Sequence, residues 1–304
     1  MSESVVRAED TFETLARKVR LAALLGTAQA TQTNFKYLNP VWRKNTEEEA
    51  LLGVSMTGIM DHPVLNSSMT WEEFGVDCSY SLEETLSKLK EEAVKANKVW
   101  AEKFNINQAA AITCVKPSGT VSQLTNASSG IHARHSEYYI RTVRADKKDP
   151  LAMMMKDIGF PVENDMMKPE EGYVFSFPVK SPEGCITRDK FSALKQLELW
   201  KTYQLHWCEH KPSVTISVKN EEWLTVGAWV YDNFDIMSGV SFLPMSEHTY
   251  QQAPYQDTTE EGYEDFLKQM PTSVDWSLLS KYEKEDTTTG MKEYACQGGA
   301  CEIV

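Results

Sequence analysis

Ala109-Ala-Ala-Ile-Thr-Cys-Val115 runs directly into Lys116-Pro-Ser-Gly-Thr-Val-Ser122. The first half is a short apolar run that suits a buried strand, and the second is a Gly/Ser/Thr loop leading into a new segment. Helical and strand patterns alternate on either side. Ser81 and Glu84 have capping-box spacing and open a long helix carrying Leu82, Leu86, Leu89, Ala93 and Trp100 on one stripe. Asp10 and Glu13 have the same spacing before Thr11–Leu25, where Phe12, Leu15, Ala16, Val19, Ala22 and Ala23 recur at helical intervals until Gly26 stops the pattern. Further on, the pattern predicts strand Tyr173–Val179, helix Arg188–Cys208, strand Ser213–Val218, helix Glu221–Phe234 and strand Val240–Leu243. Strands separated by helices predict an α/β fold with parallel pairing. The closing stretch, residues 285–304 (EDTTTGMKEYACQGGACEIV), is polar, has no periodicity and reads as a mobile tail.

The chain has 304 residues, with 31 Lys+Arg against 44 Asp+Glu and a formal net charge of −13. That balance argues against a nucleic-acid partner, because neutralising phosphates needs a basic surface. No apolar run approaches the roughly 20 residues that span a bilayer. The start, MSESVVRAED, has no basic stretch followed by an apolar one, so no signal peptide is expected. Six cysteines are too few for a secreted disulfide scaffold. The expectation is an acidic cytoplasmic protein without a membrane partner.

Three segments carry candidate chemistry. The loop Pro117, Ser118, Gly119, Thr120, Val121 and Ser122 can point backbone N–H groups and hydroxyls at an anion, with Gly119 allowing close approach. It lacks the Walker order, and the plain alternative is a strand-to-helix turn whose hydroxyls cap the next helix. Cys296 and Cys301 are separated by Gln-Gly-Gly-Ala, which lets the two sulfurs meet, and a mobile dithiol can carry reducing equivalents by thiol–disulfide exchange. A zinc site would need two more ligands, and the next cysteine back is Cys208. The stretch 130–148 holds Arg134, Arg141, Arg144, Lys147 and Lys148 against Glu137 and Asp146, a locally basic segment suited to an anionic ligand or, more plainly, a solvated helix face.

KPSGTVSQLTNASSGIHARHSEYYIRTVR resembles the phosphate loop and following segment of class II, adenosylcobalamin-dependent ribonucleotide reductases. The resemblance extends over DTFETLARKVRLAALLGTAQATQTNFKYL, GVSMTGIMD, GVSFLPMSEHTYQQAPY and the closing CQGGACEIV, in the family's order. The monomeric ribonucleoside-triphosphate reductase branch looks nearest.

The resemblance implies the C-terminal half of a ten-stranded α/β barrel over residues 1–284, followed by a flexible redox tail over 285–304. It implies that residues Pro117–Ser122 hold the substrate phosphates, that Cys296 and Cys301 re-reduce the active site and are themselves re-reduced by thioredoxin, and that His132, Arg134, His135, Tyr138 and Gln251 face adenosylcobalamin. It implies no metal ligand set on this chain. The family's N-P-C-G-E motif, which carries the radical cysteine and a proton-moving Glu, does not occur here. The chain is therefore expected to be a split-gene product that works with an N-terminal half supplying that motif, and to be inactive alone. Cys78, Cys114, Cys185 and Cys208 match no family motif. Two other readings compete: a non-catalytic nucleotide-binding half-barrel, and a free-standing thiol oxidoreductase, although the usual C-x-x-C is absent. Class III is disfavoured because no glycyl-radical motif lies near the C-terminus.

Overall fold

A computed structural model describes residues 1–245 and 251–283. In chain order the first elements are strand β1 (Ser2–Val5), helices α1 (Phe12–Ala30) and α2 (Pro40–Glu49), strand β2 (Val54–Thr57), and helices α3 (Leu82–Phe104) and α4 (Val121–Leu124). Next come β3 (Tyr138–Asp146), α5 (Pro150–Asp157), β4 (Val162–Asn164) and β5 (Gly172–Lys180). Then follow α6 (Ala193–His206), β6 (Val214–Val218), α7 (Trp223–Asp232), β7 (Val240–Pro244), β8 (Tyr255–Asp257), α8 (Glu260–Leu267) and α9 (Leu279–Tyr282). The mixed α/β class expected from the sequence holds. The stretch expected to form one part of a barrel, 1–284, divides into two compact units, one of residues 1–134 with 182–246 and one of residues 135–181 with 247–304.

The first unit has the parallel pairing that the sequence predicts. β1 pairs with β2, Glu3 facing Ser55, and β6 pairs with β7, both parallel. Between these pairs lies the apolar run ending at Val115. It is extended but contributes only one ladder bridge, Val54 to Thr113. Its remaining backbone bonds are shared: Val54 N–H donates to Ile112 O and Cys114 N–H to Val54 O on one side, while Glu209, His210 and Ser213 N–H groups donate to Thr113 O and Val115 O on the other. Helices α1, α3 and α6 cover this layer. Trp71, Trp200, Tyr203 and Trp207 are fully buried, and each polar ring atom has a partner: Thr85 Oγ1, Pro212 O, Leu65 O and Cys114 O. Burying these rings gives the unit a large apolar gain without stranding their donors.

Several boundaries differ from expectation for identifiable reasons. Helix α1 starts at a Thr11–Thr14 box, each side chain accepting from the other's backbone N–H, while Asp10 instead accepts from Arg7 N–H, Thr14 Oγ1 and Lys18 Nζ. Gly26 does not stop the helix, which continues to Ala30; the glycine is buried where a Cβ would meet Ser2 Oγ at 3.3 Å. The Ser81–Glu84 box forms as expected. Helix α6 begins at Ala193 rather than Arg188, because Ile186 O and Arg188 N–H pair with the backbone of Arg134 and hold that stretch extended.

The second unit corrects the expectation of parallel pairing. Its sheet, in the order β4-β5-β3-β8, is antiparallel throughout, Tyr139 facing Val179 on one side and Asp257 on the other. Parallel neighbours need a long crossover, whereas β4 and β5 are joined by a short loop that returns the chain on itself. The basic stretch is not a helix face: Tyr138–Asp146 is the sheet's long central strand, as its Tyr, Ile, Thr and Val content favours. The expected redox tail lies outside the described residues.

Candidate functional site

Lys116–Ser122 is rooted at three points. Lys116 N–H donates to Ser55 Oγ at 3.2 Å, Ser118 N–H to Ser129 Oγ at 2.8 Å, and Ser118 Oγ to the Glu3 carboxylate at 2.7 Å. The Lys116 ammonium reaches Lys211 O and Ser213 Oγ, so it serves the sheet rather than the loop's open side. Ser118 and Ser122 are buried, while Pro117, Gly119, Thr120 and Val121 are exposed. Thr120 precedes α4 but its side chain makes no capping bond, so the loop's hydroxyls do not do the work of a plain helix start. Among the described residues, nothing accepts a hydrogen bond from the amides of Gly119, Thr120 or Val121. A Cβ on Gly119 would meet nothing within 4 Å, so the space over the loop is open. The Ser122 hydroxyl is buried without a partner. Unpaired backbone donors beside an orphan hydroxyl form a surface that favours an acceptor-rich ligand such as a phosphate.

Burial raises the carboxyl of Glu3 above the usual carboxylate range, partly offset by its bond to Ser118. Burial likewise pushes the Cys114 thiol up to about 11 and holds Cys208 higher still. Neither is a thiolate at neutral pH, which leaves both poor nucleophiles.

The residues expected to face a cofactor divide between the two units. His132 and Arg134 belong to the first. The His132 ring uses both nitrogens, Nδ1 donating to Ser129 O at 2.7 Å and Nε2 accepting from Thr215 N–H at 3.0 Å, and its burial lowers the pKa. Arg134 is buried in a two-point ion pair with Asp61, both contacts at 2.8 Å, and also donates to Asn126. Both therefore hold the backbone behind the phosphate loop. In the second unit His135 lies 2.9 Å from Asp257 and stacks on Tyr255, over whose other contacts the Arg141 guanidinium sits 4.5 Å from the ring centre. Tyr138 donates to Glu260 at 2.7 Å, which raises its pKa, and its ring packs on Tyr263. Gln251 is exposed. Cys296 and Cys301 lie outside the described residues. Sequence reading missed Glu3, Asp61 and Ser129, because each acts on a partner more than 10 positions away and no local motif announces it.

No family model matches the chain. Among curated proteins, it is 28% identical over 283 residues to the adenosylcobalamin-dependent ribonucleoside-triphosphate reductase of Lactobacillus gasseri, covering 86% of this chain and 38% of the relative. The chain is similar to adenosylcobalamin-dependent ribonucleoside-triphosphate reductases. The reductase of Euglena gracilis is 28% identical over 269 residues, or 86% of this chain and 35% of its own length. A probable reductase of the same description from Dictyostelium discoideum is 31% identical over 196 residues, 63% of this chain and 25% of its own length. A crystal structure of a B12-dependent, class II ribonucleotide reductase superposes with a TM-score of 0.73 at 23% identity, covering 88% of this chain and 39% of that one. The chain thus shares that reductase's fold over most of its length and spans about two fifths of the length of the reductases it matches.

Proposed function

We propose that this chain is the C-terminal part of an adenosylcobalamin-dependent ribonucleoside-triphosphate reductase, converting ribonucleotides to 2′-deoxyribonucleotides only together with an N-terminal part that carries N-P-C-G-E. The observation that carries this reading is the loop Pro117–Ser122, whose three undonated amides and open face suit a polyphosphate, in a chain similar to these reductases over 86% of its length. The loop holds the triphosphate and so places the ribose against the radical cysteine of the other part. Positioning of this kind can supply roughly 7–11 kcal/mol of the barrier in favourable cases. The chemistry that adenosylcobalamin supplies when bound is homolysis of its cobalt–carbon bond, which starts the radical.

Fit to that cofactor is uneven among the residues present. Tyr138, His135 and Gln251 offer aromatic and hydrogen-bonding groups on the second unit, and we assign them the corrin-facing role. His132 and Arg134 have their polar atoms engaged inside the first unit and support the loop instead. Cys296 and Cys301 relay electrons from thioredoxin to the active site. The deciding experiment mixes this chain with one carrying N-P-C-G-E, adenosylcobalamin, a ribonucleoside triphosphate and a dithiol. A 1:1 complex on size exclusion and deoxynucleotide formation only in the mixture support the reading. A monomer that ignores the partner, or that reduces nucleotides by itself, overturns it.

A further inference from the structure

The root of the phosphate loop poses a chemical question that its similarity to reductases does not answer. An anion-binding loop gains from every donor, yet the Ser118 hydroxyl spends its only proton on the carboxylate of Glu3, at 2.7 Å. What Ser118 Oγ has left is acceptor capacity, which repels phosphate oxygens. Glu3 itself is a half-buried carboxylate that forms no ion pair with Lys or Arg among the described residues; Ser118 is its side-chain partner. A carboxylate kept this way, so close to a loop meant for anions, has to do something for the loop that outweighs its repulsion.

We propose that Glu3 is the positioning residue of the phosphate loop: its carboxylate pins Ser118 to β1, takes the Ser118 hydroxyl out of ligand contact, and leaves the amides of Gly119, Thr120 and Val121, with the Ser122 hydroxyl, to meet the phosphates. The inference rests on reading the loop as the triphosphate site. The geometry supports it from both directions. Ser118 is held by its amide to Ser129 and by its hydroxyl to Glu3, so it cannot rotate toward the open face without breaking one anchor. Immediately after it the carbonyl of Ser118 accepts from Ser122 N–H and that of Thr120 from Leu124 N–H, so a fixed Ser118 sets the position of the whole turn. Ser118 therefore acts through its backbone, and its side chain belongs to the support rather than to the ligand set.

The test uses the 304-residue chain and two readouts. The first, without ligand, is hydrogen exchange of the amides of Ser122 and Leu124. Glu3→Ala should speed their exchange at least about tenfold, and Glu3→Gln, whose amide oxygen still accepts the Ser118 proton, should not. Unchanged exchange in Glu3→Ala at an unchanged melting temperature overturns the assignment, whatever the ligand does. The second is calorimetric binding of inorganic tripolyphosphate. Glu3→Ala and Ser118→Ala should each weaken it by a similar factor of roughly five or more, the double variant should be no weaker than either, and Glu3→Gln should bind at least as tightly as the parent. If Ser118→Ala weakens binding while Glu3→Ala strengthens it, Ser118 touches the phosphate directly and the proposal fails. A parent chain that does not bind tripolyphosphate overturns the reading of the loop as the phosphate site, while the exchange result still decides the role of Glu3.

Discussion

Asp61 and Arg134 sit with about 5% or less of their side chains exposed, and Asp61 Oδ2 also accepts from Ser128 N–H. Removing one member of such a pair strands the other charge in the interior, which costs about 3–5 kcal/mol. Asp61→Ala should therefore lower the urea-unfolding free energy by that amount, while an Asp61→Leu, Arg134→Met double variant should lose less than Asp61→Ala alone. His62 and His132 carry a pH dependence of definite sign. His62 donates from Nε2 to Asp10 O and accepts at Nδ1 from Val64 and Leu65, and burial lowers the pKa of both rings. The unfolded chain takes up protons first, so the stability these groups give is fully present above the unfolded value of about 6.5 and is lost as pH falls through it. Unfolding free energy should drop between pH 7.5 and 5.5, and His132→Gln should flatten that drop. These pairings were not legible beforehand. His132 and Arg134 stood out as unusual residues in a basic stretch, but only the fold shows that their partners are Thr215, Ser129 and Asp61.

At the scale of elements, legibility followed how local the determinant is. The Ser81–Glu84 box opens α3 as read, because both partners lie within one turn. The end of α1 was misjudged, because the reason Gly26 stays helical is a strand and a side chain from elsewhere, Ser2 and Leu52. The central strand β3 was hidden behind its arginines. Two glycines make a contrasting test of site and scaffold. Gly58 has φ +90° and a Cβ there would lie 2.3 Å from Val6 O, so Gly58→Ala should destabilise the chain by about 2 kcal/mol or more in urea unfolding. Gly119 has no such neighbour, so Gly119→Val should fold with an unchanged melting temperature yet raise KM for the nucleotide in the assembled reductase at least about 10-fold, near 1.4 kcal/mol. An unchanged KM would return the loop to an ordinary turn.

For the whole molecule, the alternation of apolar runs revealed the parallel layer of the first unit but not the antiparallel sheet of the second, whose pairing depends on where the chain turns rather than on hydrophobic period. The tail prediction belongs at this scale. Cys296→Ser or Cys301→Ser in the assembled enzyme should abolish multiple turnover with thioredoxin while sparing a single turnover, and a small dithiol should partly restore it. Normal turnover of both variants with thioredoxin would remove the relay role. The division into units has a further consequence, for synthesis rather than catalysis. Residues 1–134 contain β1, β2 and the loop, yet the unit they belong to is completed only by residues 182–246. Leu52 O waits for the His210 ring and Leu65 O for the Tyr203 hydroxyl, 158 and 138 positions later. Until the second segment leaves the ribosome, the first carries unsatisfied strand edges and an uncovered apolar layer. Closing loops that long comes late and slowly, so the nascent chain should depend on chaperones and express better in the cold, and a fragment ending at Arg134 should aggregate.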